Sequence, residues 1–409
     1  MEIPRKIKLF HTGDKILDKM SISIIGVSDN QHFAIYPQIL KGKKDLHKME
    51  YLVPVSLGEL VDKYTILEIK EKKITDPEKL ALIRQEKELL EPHIQTFPHK
   101  HYQRFLNEIN ERIWELSDET RESPTLEKCV ELFKHNDRRF RVKNKINQSS
   151  LLKEQKSYSS KKVLFCGHTE TGDTLINIGI VRYLSTLYGE VIVPVKDVNL
   201  QMAKTLYEDD PSIKPISINE VLNGNYFQYF DFEHNRKLAE QIKLSGMDVI
   251  SVFYLGVQPP IPFQNSHFYD QFYIDAGIDP KLRFIYTHIP RNLQIEEEVR
   301  KNFVGDKKYI FQHNRIGDPR RTLKSDYYIF NVNECGGSNT PLLHFCKMIE
   351  DAEEVYMDNS SFFCLAMYLD LSRVKRLVVY ARMCRNDSSG LCDMAEYAHP
   401  SQKWEVVYP

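Results

Sequence analysis

Lys307-Lys308-Tyr309-Ile310-Phe311-Gln312-His313-Asn314-Arg315-Ile316-Gly317-Asp318 is the stretch on which the reading of this 409-residue chain turns. Tyr309, Ile310 and Phe311 form a short apolar run of strand-forming residues, which suits a strand buried in a parallel sheet. A histidine, an arginine, a glycine and an aspartate follow at once, where a strand of an α/β sheet ends and a ligand crevice opens. Arginine presents a planar fork of donors that matches phosphate oxygens two at a time, so Arg315 beside Gly317 reads as a diphosphate clamp. An ion pair with Asp318 is the other use of the same guanidinium.

Outward from this stretch the sequence alternates. Downstream come a strand at 327–332, a helix at 341–350, a strand at 354–357, a helix at 361–371 and a strand at 376–380, the pattern of a parallel sheet covered by helices. Upstream, Lys161 to His168 forms a buried strand entering a loop, Thr169 to Thr174 completes the loop, and helical spacing runs from Leu175 to Leu187 before a strand at 190–195. This is a βαβ unit. Gly167 and Gly172 do not make the Gly-x-Gly-x-x-Gly of a dinucleotide site. Further units are expected as helix 202–207, strand 213–218, helix 235–244 and strand 248–254. Next come an aromatic helix at 266–273 lining a cleft, strand character at 281–287 and a helix at 292–303 linking two halves.

His313-Asn314-Arg315-Ile316-Gly317-Asp318 resembles the His-x-Arg-x-Gly-Asp motif of fucosyltransferase-type glycosyltransferases, in which the arginine holds the phosphates of a GDP-sugar. Asp358-Asn359-Ser360-Ser361-Phe362, ahead of a helical pattern, is similar to the Ser-Ser-Phe segment that begins a helix at the donor phosphates of the same enzymes. Gly172-Asp173 resembles the Gly-Asp pair that opens the first helix of heptosyltransferase-like GT-B enzymes, where the aspartate is the proposed base. These resemblances imply a GT-B-like α/β fold, a pair of Rossmann-type parallel sheets facing each other. Residues 162–303 would form the acceptor half and 304–409 the nucleotide-sugar donor half.

Glycosyl transfer from a nucleotide diphosphate sugar loads negative charge on the leaving phosphate and needs a base for the attacking hydroxyl. Arg315 and the backbone amides at Ser360 and Ser361 would meet the first need. Asp173 would meet the second, with Glu170 and His168 in reserve. His313, Asp318 and Glu334 complete the donor-binding set, Glu334 toward ribose hydroxyls. Each has a plainer use: Asp173, Ser360 and Ser361 as helix N-caps, His313 as a hydrogen-bonded strand end, and Glu334 with Gly336 and Gly337 as a flexible turn. No Asp-x-Asp pair occurs, so the expectation is an inverting transfer without a bound metal or other cofactor, the nucleotide sugar being a co-substrate.

The N-terminal third has a different rhythm. Strands at 21–27 and 32–39 suggest a small β-hairpin in residues 1–50. Residues 51–148 read as four amphipathic helices. Ser56 and Glu59 form a capping box for the first, and Thr75-Asp76-Pro77 ends it and starts the second. The third carries Tyr102, Phe105, Leu106, Ile109, Ile113 and Leu116 on one face, and the fourth Leu126, Cys129, Val130, Phe133 and Phe140. The phrase from Val53 to Lys70 resembles a helical domain of unknown function found in bacteria and their phages. Lys134, Arg138, Arg139, Arg141, Lys143 and Lys145 give the fourth helix a basic face, read as solvated or as a contact for a membrane surface or RNA. Residues 149–161, rich in Ser, Lys and Gln, form a linker.

The chain carries 42% hydrophobic and 28% charged residues, an ordinary globular composition, and a formal net charge of −1 that offers no general attraction to nucleic acid. Seven cysteines without a Cys-x-x-Cys pair argue against a disulfide framework and a zinc site; Cys346 and Cys364 fall in apolar helical patterns as core residues. No apolar run approaches the ~20 residues that cross a bilayer, and cytoplasmic residence is the expectation. The function expected is a hexosyl- or deoxyhexosyltransferase of polysaccharide biosynthesis that moves a sugar, GDP-linked in one version, to a glycan acceptor. The expected partners are nucleotide sugar and acceptor rather than nucleic acid, with room for peripheral membrane association and for a homo-oligomer through the helical domain. The alternative is a noncatalytic nucleotide- or glycan-binding protein whose helices dock a partner.

Overall fold

The computed structural model describes residues 23–28, 31–37, 50–147, 161–219, 227–228, 231–252, 268–314, 323, 325–334, 336–380 and 398–407. The chain divides into two compact units, Met1–Tyr158 and Ser159–Pro409.

In the first unit, β1 (Ser23–Ser28), β2 (Gln31–Pro37) and β3 (Glu50–Val55) form an antiparallel sheet in that order. The expected hairpin thus gains a third strand, which runs directly into the first helix. Four helices follow: α1 (Leu57–Lys73), α2 (Pro77–Gln95), α3 (Lys100–Glu122) and α4 (Leu126–Ile146). The expected caps are present. Ser56 Oγ accepts from the Glu59 amide at 3.2 Å, and Asp76 accepts from Glu78 and Lys79 ahead of a first-turn proline. Each such cap stabilises its helix by about 1 kcal/mol.

Two features of α4 differ from the sequence expectation. Its basic face is largely turned inward: Arg138, Lys143 and Lys145 are buried, Arg139 holds Asp62 bidentately at 2.8 and 2.5 Å, Arg138 pairs with Glu108 at 3.0 Å, and Lys143 pairs with Glu59. Asp62 also accepts from Asn110 at 2.9 Å, so the charge is multiply satisfied inside the bundle. Conversely, only Phe140 of the predicted apolar stripe is buried, while Leu126, Val130 and Phe133 are 83%, 42% and 70% exposed. The cause lies in the face that α4 offers α3. Lys128 donates to the Glu119 carbonyl at 3.3 Å and Glu131 accepts from Arg112 at 3.0 Å, so the charged side faces the neighbour and the apolar side faces out.

The second unit holds two parallel sheets. In chain order its first half contains β4 (Lys162–Cys166), α5 (Thr171–Ile176), α6 (Ile178–Leu187), β5 (Glu190–Val195), α7 (Asp197–Leu206), β6 (Ile213–Ser217), α8 (Phe232–Leu244) and β7 (Met247–Ser251). Its strands pair in the order β6-β5-β4-β7. Three helices connect to the second sheet: α9 (Phe268–Asp275), α10 (Arg283–Tyr286) and α11 (Leu293–Val304). Residues 281–287, expected as a strand, are helical through Tyr286 instead, because Asp279 caps the Lys281 amide at 2.9 Å and Pro280 occupies the first turn.

The second sheet is built from β8 (Tyr309–His313), β9 (Tyr328–Asn331), β10 (Glu354–Asp358), β11 (Arg376–Tyr380) and β12 (Trp404–Val407), the last unforeseen in the sequence, with α12 (Cys346–Glu350) and α13 (Ser361–Ala366) between strands. All pairs are parallel, in the order β12-β11-β10-β8-β9. The fold is therefore the expected GT-B-like pair of Rossmann-type sheets preceded by a helical region. One apolar core runs through both halves, from Val163 and Phe165 to Val379 and Trp404. Side chains alternate as strands require: Leu164 and Cys166 join a separate cluster with α8, and Ile310, Tyr356, Val378 and Tyr380 form another.

Both strand orders contain a reversal. From β4 the chain steps outward through β5 and β6, then returns to place β7 on the other side of β4. From β8 it goes to β9, then crosses to β10. In open parallel sheets, ligands bind beyond the carboxyl ends of the strands at such reversal points. Those points are the loop after β4 and the gap between the ends of β8 and β10.

Candidate active site

After β4 the chain makes the turn Gly167-His168-Thr169-Glu170 and enters α5. A Cβ on Gly167 would stand 2.4 Å from Asn177 Nδ2, so the backbone passes this buried amide only because the residue is glycine. That same nitrogen donates to the His168 carbonyl at 3.2 Å, and Asn199 Nδ2 donates to the Thr169 carbonyl at 2.8 Å. Two buried asparagines thus hold the loop from both sides. His168 Nδ1 lies 3.5 Å from Asp173 Oδ2, with both side chains mostly buried, and the imidazole packs on the Phe272 ring with centroids 5.0 Å apart. Glu170 is exposed and paired with Lys196.

Asp173 is not the N-cap that one reading made it. The helix begins earlier, with Glu170 in the cap position, and Asp173 lies within the first turn. Its carboxylate faces His168 instead.

At the second reversal, β8 ends at His313 and β10 at Asp358. Ser360 occupies the cap position of α13, but its side chain does not cap the helix; its Oγ lies 3.0 Å from His313 Nδ1. The His313 ring also stacks on Phe362, centroids 4.3 Å apart and planes 28° apart. The hydroxyl and the aromatic face together fix the imidazole. The helix at Ser361 is shorter than the sequence spacing predicted, ending at Ala366 because Met367 to Leu369 close in tight turns onto the preceding carbonyls. Ser361 is half-buried at its start.

The two reversal points meet. A Cβ on Gly172 would stand 3.1 Å from Cys364 Sγ and 3.6 Å from Ser361 Cα, so α5 and α13 touch through a residue with no side chain. Behind the contact, the Tyr269 hydroxyl lies 3.6 Å from Cys364 Sγ and the Tyr273 hydroxyl donates to the Ile176 carbonyl at 3.2 Å. Burial pushes the Cys364 thiol up to about 12, against the pull of the Tyr269 hydroxyl, so it packs rather than reacts. The helix expected to line a cleft is thus mostly a packing element, with Tyr269, Phe272 and Tyr273 all buried.

Of the residues singled out from sequence, the structure brings Asp173, His168, Ser360, Ser361 and His313 to these adjoining strand ends. Glu334 is exposed on the turn after β9, its amide donating to the Asn331 carbonyl. Arg315 and Asp318 lie outside the described residues. Sequence reasoning missed the asparagines that shape the exit of β8: Asn331 Nδ2 donates to Asn314 Oδ1 at 2.8 Å, and Asn333 Nδ2 donates to the Asn314 carbonyl at 2.6 Å. The Asn331-x-Asn333 spacing across the end of a strand was the available signal, since asparagine satisfies backbone groups where a ladder ends. Among the described residues no group of three or more His, Cys, Asp or Glu side chains is placed to hold a metal ion, and no helix is long and apolar enough to cross a membrane.

No protein-family model matches the chain, and no curated protein matches it in sequence. Two solved structures share its layout loosely. The glycosyl transferase family 9 protein from Veillonella parvula DSM 2008 is 8% identical over 62% of this chain and 89% of that one, with a TM-score of 0.35. The ADP-heptose lps heptosyltransferase II of E. coli is 10% identical over 54% of this chain and 84% of that one, with a TM-score of 0.37. No residue's role is carried over from either.

Proposed function

We propose that the second unit is a glycosyltransferase that moves a sugar from a nucleotide diphosphate sugar to a hydroxyl of a glycan acceptor, with inversion and without a bound metal. The observation that carries this reading is the meeting of the two reversal points across Gly172. Asp173, paired with His168, follows Gly172 on one side of that contact, and Ser360, which holds His313, precedes Ser361 on the other; the reading takes the first pair as acid–base groups and His313 as the anion's receiver. A transferase of this kind needs those two functions within one reacting distance.

In this reading the carboxylate of Asp173 takes the proton of the attacking acceptor hydroxyl, and His168 orients that carboxylate. The sugar's bond to the diphosphate breaks as the acceptor oxygen forms its own bond to the anomeric carbon. Charge that develops on the leaving diphosphate is received by His313, by the Ser361 hydroxyl and by Arg315, with Asp318 as that arginine's neighbour in sequence. Glu334 is assigned to the ribose end of the donor.

The test is a thermal-shift panel of the full chain against GDP, UDP, ADP and CDP in buffer containing EDTA, followed by donor hydrolysis or transfer with the matching nucleotide sugars. A nucleoside diphosphate at a hundred times its dissociation constant adds about 2.7 kcal/mol of apparent stability. One responding nucleotide, a response lost in Arg315→Ala and turnover lost in Asp173→Asn are the expected results. Turnover that requires an added divalent cation would overturn the metal-free scheme. Binding without turnover of any matching sugar would overturn catalysis in favour of a noncatalytic binding protein.

A further inference from the structure

The first unit carries a surface that nothing in the proposed transferase uses. Leu126, Val130 and Phe133 recur at i, i+4 and i+7 along α4 and are 83%, 42% and 70% exposed. Scattered apolar residues on a surface are ordinary, but a run on one helical face is not. Leu126, Glu127, Val130, Glu131 and Lys134 line a shallow groove on this face. Glu131 is already engaged by Arg112, whereas Glu127 and Lys134 have no ion-pair partner among the described residues.

The charges argue for one occupant. Residues 127 and 134 are seven apart, two helical turns, and therefore lie along the same flank of the apolar stripe. A second copy of α4 laid antiparallel about a two-fold axis near the middle of residues 126–133 sets Leu126 against Phe133 of the second copy. It also brings Glu127 beside Lys134 of the second copy, and the symmetry repeats each contact. A parallel copy would place the two Glu127–Lys134 flanks on opposite sides of the seam, where neither charge meets its complement. We propose that this face of α4 is a self-complementary dimer interface, in which the three apolar side chains supply the affinity and the Glu127–Lys134 contacts select the antiparallel register. Exposed ion pairs contribute little to affinity but penalise a wrong partner or register.

Sedimentation velocity of the full chain across roughly 1–100 μM, where small interfaces dissociate, tests this. The wild type is expected to pass from monomer to dimer in that range. Phe133→Glu should remain monomeric, with circular dichroism and thermal unfolding matching the wild type because Phe133 contributes almost nothing to the core. Glu127→Lys and Lys134→Glu should each weaken the dimer about tenfold through two symmetric like-charge contacts. The double reversal E127K/K134E should restore it. A wild type that stays monomeric throughout, or a dimer indifferent to Phe133→Glu, would overturn the proposal. Single reversals that weaken association without rescue in the double variant would overturn the antiparallel pairing.

Discussion

Ser360 Oγ lies 3.0 Å from His313 Nδ1, joining residues 47 apart in sequence across the gap between the ends of β10 and β8. With the hydroxyl donating to Nδ1, the imidazole proton resides on Nε2, and the proposed transferase assigns that N–H to the leaving diphosphate. Ser360→Ala removes the tether while leaving the Phe362 stack. The ligand-free unfolding temperature should stay within a degree or two. Affinity for the responding nucleoside diphosphate should fall roughly tenfold, the value of one hydrogen bond of 1–1.5 kcal/mol. Ser360→Thr, which keeps the hydroxyl, should recover most of it. Titrations of the three proteins by calorimetry decide the matter, and equal affinities in all three would remove Ser360 from the site.

Gly172 makes a second, sharper prediction. An alanine there sets its methyl 3.1 Å from Cys364 Sγ, so the buried Cys364 side chain, or α13 with it, must give by a few tenths of an ångström. Overpacking of this size costs about 1–3 kcal/mol. Turnover should fall further than stability alone explains, because misplacing reacting groups by under an ångström is enough to slow a transfer severely. The compensating change Cys364→Ala removes the obstructing sulfur. In a double-mutant cycle, Gly172→Ala with Cys364→Ala should show favourable coupling in unfolding free energy. Strict additivity would mean that the two helices are not in the contact described.

Much of this architecture was legible in the residues, for reasons that also explain the misses. The strands at Val163-Leu164-Phe165 and Tyr309-Ile310-Phe311 were readable because parallel strands buried on both faces are continuous apolar runs. The caps at Ser56 and Asp76 were readable because capping is a local event. The α4 face was misread because spacing identifies an apolar stripe but not the neighbour it meets; Arg112 and Glu131 decided that, through a contact 19 residues apart. Likewise capping its own helix was the plainer use of the Ser360 hydroxyl, and only the tertiary fold supplies His313 as a competing partner. The sequence marked Asp173, His168 and Ser360 as separate candidates. Their shared location depends on how the two sheets pack, which no local pattern encodes.

Arg291 links the start of α11 to the end of α12. Its guanidinium holds Glu296 at 2.5–3.0 Å and Glu350 at 2.7 and 2.8 Å, and Glu296 is 1% exposed. Burial alone would lower the arginine's pKa, but the hydrogen bonds from the two carboxylates outweigh it and raise it. Removing one member of such a group leaves a buried charge uncompensated, at a cost of about 3–5 kcal/mol. Arg291→Met should therefore lower the unfolding temperature by roughly 6–20 °C for a unit of this size. The combined change Arg291→Met, Glu296→Gln should be milder than the single one, since the stranded charge is gone. Calorimetric unfolding of both variants measures this; a single variant as stable as the wild type would contradict the burial of Glu296.

His135 on α4 gives the stability its expected pH dependence. Burial first, and then the neighbouring Arg138 guanidinium, lower its pKa from 6.5 to about 4, with Glu131 pulling weakly the other way. The Arg138 Nη1 lies 3.1 Å from Nδ1, and Arg138 also holds Glu108, so the ring nitrogen accepts a bond that a proton there would destroy. Between about pH 6.5 and 4 the unfolded chain binds a proton that the folded chain refuses. The unfolded state then holds more protons, so stability is fully present above pH 6.5 and declines as pH falls toward 4. His135→Gln, which keeps an acceptor but cannot ionise, should flatten the decline in this window and leave the profile above pH 7 parallel to the wild type. Urea midpoints of the two proteins at half-unit steps from pH 4 to 7.5 provide the comparison. Identical slopes would show that the His135 ring titrates as it does in the unfolded chain, and that its contact with Arg138 does not hold in solution.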